Sequence, residues 1–172
     1  SIVQGGCASR PGTAYPAILG RRLDRPVINL GFSGNGQAEP EVATLLAELD
    51  PALFLIDCLP NLTPELVTER MPNFLVTLRR ARPRTPIVAV ENIVYEDARH
   101  VASRSSRCQG SNAALRDVLS AFRDDPDMYC VSHHDLLGHD RDATVDGVHP
   151  NDVGFLRMAD AILPTLTPLL TP

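Results

Sequence analysis

The sequence predicts an α/β protein: a parallel sheet covered on both faces by helices. Four short, continuously apolar runs bounded by breakers read as buried strands. Segments with helical apolar stripes lie between them, so strand and helix alternate. Polar, glycine-containing loops follow the strands, and in open parallel sheets ligands bind beyond the carboxyl ends of the strands.

In chain order, a helix is expected from Thr13 to Leu23, where Ala14, Ile18 and Leu19 share a face. The run Pro26-Val-Ile-Asn-Leu30 is the first expected strand, and Gly31-Phe-Ser-Gly34-Asn-Gly36 is its loop. Glu39 to Leu49 carries Val42, Leu45, Leu46 and Leu49 on one stripe, with Pro40 in the first turn. Leu53-Phe-Leu-Ile-Asp57 is the second strand, followed by Cys58-Leu-Pro-Asn61. From Pro64 to Ala81 a long helix buries Leu66, Phe74, Leu75 and Leu78, and Pro72 should kink or split it. Pro86-Ile-Val-Ala-Val90 is the third strand, and a polar loop from Glu91 to Gly110 follows. Asn112 to Phe122 is the next helix, Met128-Tyr-Cys-Val131 the fourth strand. A last helix runs from Asp152 to Leu163, capped by Asn151 or Asp152.

A chain of 172 residues, 44% apolar and 22% charged, is enough for one domain with a substantial core. A net charge of -5 without Lys/Arg clusters argues against nucleic acid or anionic membrane as the main partner. No apolar run approaches the length of a membrane span, and no signal-like segment opens the chain. Compartment is left open. Cys7, Cys58, Cys108 and Cys130 lie far apart without metal-ligand spacing; Cys58 and Cys130 are expected to be buried thiols, and a Cys7–Cys108 or other disulfide stays open. His133, His134 and His139 are read as solvated or structural, and no metal or cofactor is called for.

Chemistry is concentrated in Asp146-Gly-Val-His149-Pro150. Gly147 and Pro150 keep this segment out of helix and strand, so a tight loop can fold Asp146 onto one ring nitrogen of His149. The other nitrogen is left to take a proton. A carboxylate that fixes the tautomer and an imidazole that acts as base are two members of a nucleophilic triad.

With Gly34, Asn61 and this Asp-x-x-His block in order, the chain resembles the SGNH hydrolases, the superfamily of GDSL esterases and lipases. The resemblance covers essentially the whole chain. It implies a three-layer α/β/α sandwich on a flavodoxin-like sheet ordered 2-1-3-4-5, and one catalytic domain over residues 1–172. The opening Ser1-Ile-Val-Gln-Gly5-Gly6 is similar to the nucleophile block of one branch, which maps the attacking hydroxyl onto Ser1. Asp57-Cys-Leu-Pro-Asn61 departs from the commoner GxND wording but matches that same branch. Family members have a central strand just before the serine. Its absence here leads to the expectation that the chain is cropped from a longer polypeptide, with a further N-terminal domain as a possible neighbour. Ser9 is the alternative nucleophile, with Ser33 and Ser132 behind it.

The roles implied are Ser1 as nucleophile, His149 as base and Asp146 as its orienting partner. The oxyanion would be held by the backbone N–H groups of Ser1 and Gly34 and by the Asn61 side-chain amide. Glu91 and Tyr95, in the polar loop with His100, Arg99, Arg104 and Arg107, are candidate substrate contacts. The expected activity is hydrolysis of a short acyl ester, such as acetyl, of a polar alcohol or carbohydrate, or acyl transfer through the same triad. Two competing readings are a flavodoxin-like binding module using the 31–36 loop, and an N-terminal-nucleophile hydrolase. The latter requires stacked antiparallel sheets.

Overall fold

The structure is a computed structural model and describes residues 1–170. Three strands, β1 (Phe54–Ile56), β2 (Ile87–Val90) and β3 (Met128–Val131), form a sheet in the order β1-β2-β3. Both pairings are parallel, with Leu55 opposite Val88 and Ala89 opposite Cys130. This excludes the stacked antiparallel sheets of the N-terminal-nucleophile alternative.

Alternation along β2 assigns the two faces. Val88 and Val90 join Tyr15, Ile18 and Leu19 of α1 (Tyr15–Leu23) and Phe155, Met158 and Ile162 of α5 (Asp152–Leu170). Ile87 and Ala89 join Val67, Met71, Leu75 and Leu78 of α3 (Pro64–Ala81) and Leu115 and Val118 of α4 (Ala102–Ser120). The short α2 (Pro40–Ala47) packs on α3 through Ala43. Helices thus cover both faces, as the alternation predicts.

The expected strand at residues 26–30 does not form. A strand needs a ladder partner, and among the described residues none lies on either side of this segment. Its side chains are correspondingly open, with Ile28 71% exposed. It is held instead by Asn29, whose Nδ2 donates to the Val3 carbonyl (2.8 Å) and whose Oδ1 accepts from Gly31 N (2.9 Å). β3 also differs from expectation. Among the described residues it has a neighbour on one side only, so it is an edge strand, and Cys130 is exposed rather than buried. Cys58 is partly covered, and all four cysteines are free.

Helix α4 begins ten residues earlier than expected, so the second half of the polar 91–110 stretch is helical. Ser103, Arg104, Ser105, Ser106 and Arg107 give its first turns no apolar stripe, which hid them from periodicity. Pro72 does not split α3, which runs unbroken from its cap at Thr63 (Leu66 N to Thr63 Oγ1, 3.4 Å). Likewise α5 continues past Leu163 through Pro164 and Pro168 to Leu170. Taken as a whole helix, α5 is long and apolar enough to cross a membrane by length and composition, contrary to the expectation from unbroken apolar runs. Arg157 and Asp160 interrupt those runs. In the fold, Phe155, Met158, Ile162 and Leu166 are buried in the core, while Arg157 pairs with Asp140 and Asp160 with Arg22.

Candidate active site

Beyond the carboxyl ends of the strands, residues 142–151 form a tight loop. An isolated antiparallel bridge joins Thr144 to Pro150, Val145 N donates to the His149 carbonyl (2.9 Å), and Asn151 N donates to Ala143 O (2.9 Å). Gly147, at the tip, has φ +86°, and a Cβ there would lie 2.7 Å from Asp97 Cβ. Both the left-handed backbone and the crowding demand glycine. The stretch before α4 grips this loop from outside. Glu96 accepts from Ala143 N (3.1 Å) and from the Thr144 hydroxyl, while Asp97 N donates to Gly147 O (3.3 Å). Arg104 pairs with the Asp97 carboxylate.

Within the loop, Asp146 Oδ1 accepts from Val148 N (3.0 Å) and His149 N (2.7 Å), and Oδ2 lies 2.7 Å from His149 Nδ1. Burial pushes the Asp146 carboxyl up, but the hydrogen bonds from the His149 backbone, the His149 ring and the Val148 backbone outweigh it and hold its pKa at about 2. Asp146 is therefore an anion at neutral pH, and an acceptor at Nδ1 fixes the ring so that Nε2 is the proton-accepting nitrogen. That nitrogen lies 2.8 Å from Ser1 Oγ. The Ser1 hydroxyl, the His149 ring and the Asp146 carboxylate thus stand in hydrogen-bonding sequence.

Ser1 opens a turn whose carbonyl accepts from Gly5 N (3.1 Å) and Gly6 N (3.0 Å). Its nitrogen donates to Phe32 O (3.2 Å), and Asn61 Nδ2 donates to the same oxygen (3.3 Å). The two donors converge on one point beside the serine. Asn61 also donates to Gly36 O (3.2 Å), which ties it to the 31–36 loop. Gly34 has φ +69°, and nothing lies within 4 Å of where its Cβ would be, so its outer face is open. A short 3-10 turn, Leu59–Asn61, presents the amide, and the preceding Pro60 carbonyl accepts from Arg107 Nη2 (3.1 Å) and the Tyr95 hydroxyl (3.4 Å).

Tyr95 is thus 6% exposed and bonded to the Asn61 turn, and Glu91 is 3% exposed. Glu91 is bonded by Arg116, by the His133 ring and by His133 N (3.1 Å). Its burial, which raises a carboxyl, is overcome by those three partners, and the net shift is downward. Neither residue is turned to the Ser1–His149 pair as a free substrate contact. The Pro60 carbonyl and Arg116 of α4 hold them inward, which loop composition does not reveal. Ser9, the alternative nucleophile, donates its hydroxyl to Asp152 and does not meet His149. Three further residues shape the site: Glu96 and Asp97, by bracing the Asp146 loop, and Asp57, below Ser1. Asp57 accepts from the Tyr15 hydroxyl (2.8 Å), and burial raises its pKa to about 6 against the lowering effect of that bond. Among the described residues no His/Cys/Asp/Glu group is arranged to hold a metal ion.

Residues 1–167 match a family model described as the GDSL-like Lipase/Acylhydrolase family. The chain is similar to a crystal structure described as a GDSL-like lipase from Bacteroides ovatus ATCC 8483, at 40% identity and TM-score 0.94, over 99% of this chain and 51% of that one. It is also similar to the salicylyl-acyltransferase SsfX3 from a tetracycline biosynthetic pathway, at 18% identity and TM-score 0.78, over 96% of this chain and 51% of that one. A carbohydrate esterase family 3 structure from Talaromyces cellulolyticus aligns at 19% identity and TM-score 0.60, over 85% of this chain and 75% of that one. The latter two are likenesses of fold. The chain spans 51% of the length of each of the first two proteins. No curated protein matches it.

Proposed function

Because the chain belongs to the GDSL-like lipase/acylhydrolase family, we propose that it is a serine esterase acting through Ser1, His149 and Asp146. The observation that carries this reading is the 2.8 Å approach of His149 Nε2 to Ser1 Oγ, with Asp146 on the far ring nitrogen. In the reaction, Ser1 Oγ attacks the acyl carbon as its proton passes to His149 Nε2, and the carbonyl π pair moves onto oxygen. Once the Phe32 carbonyl is displaced, the oxyanion takes its position between Ser1 N and Asn61 Nδ2. Collapse expels the alcohol, which receives the proton from His149. Water, deprotonated by the same nitrogen, then attacks the acyl carbon; collapse breaks the bond to Ser1 Oγ, which takes the proton back from His149 as the acid leaves.

The substrate is a short acyl ester, such as acetyl, of a polar alcohol or carbohydrate. The polar side chains near the site, among them Arg104 and Arg107, support this over a long-chain lipid, which needs an apolar groove. A fluorophosphonate probe and a series of chromogenic esters test it. Labelling at Ser1 with fastest turnover of the acetyl ester is expected. Labelling elsewhere removes the nucleophile assignment, and preference for long chains removes the substrate class. Measuring free acid against acyl-acceptor product in the presence of sugars separates hydrolysis from transfer.

A further inference from the structure

We infer that Asp152 is a positioning residue that sets the gap between the attacking hydroxyl and the base; this rests on the Ser1–His149 reading above. Asp152 is the first residue of α5, three positions after His149. That place normally calls for capping, yet capping is already done by Asn151, whose Oδ1 accepts from Gly154 N (2.9 Å). The Asn151 amide also donates to Asp142 O (3.0 Å), closing the catalytic loop onto the helix. Gly154 permits this closure, since a Cβ there would lie 2.1 Å from Ala143 O. Loop 142–151 and the first turn of α5 therefore form one stiff unit carrying His149.

The Asp152 carboxylate is left to face the segment that carries Ser1. Its Oδ1 accepts from Ser9 N (2.9 Å) and from the Thr13 hydroxyl (2.8 Å), which also contacts Arg10 O, and its Oδ2 accepts from the Ser9 hydroxyl. Three donors within five residues hold one carboxylate, which fixes position and orientation together. Among the described residues, these bonds and the Ser1–His149 bond itself are the hydrogen bonds that join residues 1–14 to residues 142–152. The nucleophile and base thus belong to two bodies, and Asp152 is the polar tie that registers one against the other. The Ser9 hydroxyl, followed by the Ser9 and Thr13 bonds, lowers the carboxyl's pKa, so the tie is ionised across the neutral range. Reacting groups tolerate little drift: a misplacement of about 1 Å can cost on the order of a hundredfold in rate.

The test compares Asp152→Ala, Asp152→Asn and Ser9→Ala by kcat, KM, thermal melting and the rate of fluorophosphonate labelling of folded protein. Asp152→Ala should lower kcat and labelling rate by about tenfold or more, with KM within about twofold. Asp152→Asn, which keeps one acceptor oxygen for Ser9 N and Thr13 and can donate to Ser9 Oγ, should recover most of that loss. Ser9→Ala should fall between, and stands in if Asp152→Ala does not fold. Equal labelling rates in wild type and all three variants overturn the proposal, as does an activity loss fully explained by the unfolded fraction. If wild type itself is not labelled at Ser1, the triad reading has failed instead.

Discussion

His149 Nε2 and Ser1 Oγ lie 2.8 Å apart across 148 positions of sequence. Asp146, on the other ring nitrogen, is bound by three separate donors from the same loop. His149→Ala should reduce kcat by more than about 10⁴-fold with the fold retained, and Asp146→Asn by about 10⁴-fold through loss of the ring's orientation. Steady-state kinetics with circular dichroism on the same samples checks both. Full activity in either variant breaks the triad.

Asn61 should act on kcat far more than on KM. Its amide converges with Ser1 N on a single oxygen, the place where negative charge would develop. Asn61→Ala is expected to lower kcat by about 10²–10³-fold. A change confined to KM would show instead that the amide serves binding alone.

Gly147→Ala should be worse than its size suggests. The added methyl meets Asp97 at 2.7 Å on a backbone with φ +86°, so the loop must move. The displaced loop carries Asp146 and His149, and activity should drop together with the melting temperature. Relief of the steric clash by the double variant Gly147→Ala, Asp97→Gly should restore only part of it, since the backbone strain remains.

Glu91 should be a matter of stability. It is 3% exposed and serves Arg116 and His133. Glu91→Ala strips the His133 N–H and ring of a buried acceptor, while the exposed Arg116 turns to water, and should destabilise by about 1–3 kcal/mol, with KM unchanged in the surviving folded protein. Denaturant melts paired with kinetics decide; a raised KM at unchanged stability would return Glu91 to the substrate.

The Asp57 carboxyl gives a pH signature. Burial raises its folded-state pKa to about 6 from 3.8, so the fold favours the neutral acid. That contribution is present at low pH and is lost as pH rises from the unfolded value through the folded one. Asp57→Asn keeps an acceptor for Tyr15 without the charge. It should raise the melting temperature at about pH 8 and change it little at about pH 4. Stabilisation at the lower pH alone would contradict the assignment.

Much of this was legible in the sequence because the relevant signals are local. Apolar runs at 54–56 and 87–90 marked two strands of the sheet, and the Asp-x-x-His spacing marked a loop that closes on itself. What escaped depends on neighbours. The run at 26–30 has strand composition but no ladder partner, and composition cannot supply one. Residues 102–111 carry serines and arginines yet are helical, because packing of Cys108 and Ser111 rather than an amphipathic stripe holds them. Tyr95 and Glu91 have the chemistry of substrate contacts and the geometry of braces. For those two, side-chain direction was the missing variable.

The Phe32 carbonyl is shared by Ser1 and Asn61, so on the proposed esterase reading substrate entry would be an exchange of like for like. A neutral ester oxygen that displaced it would exchange one carbonyl acceptor for another on the same two donors, so the Michaelis complex would gain little from them. Once the oxygen becomes an anion the balance tips, because charge-assisted bonds are about twice as strong as neutral ones. On the proposed esterase reading, a piece of the chain's own backbone, acting as placeholder, would reserve the donors' surplus for the moment of bond-making, where it would speed turnover rather than tighten the resting complex.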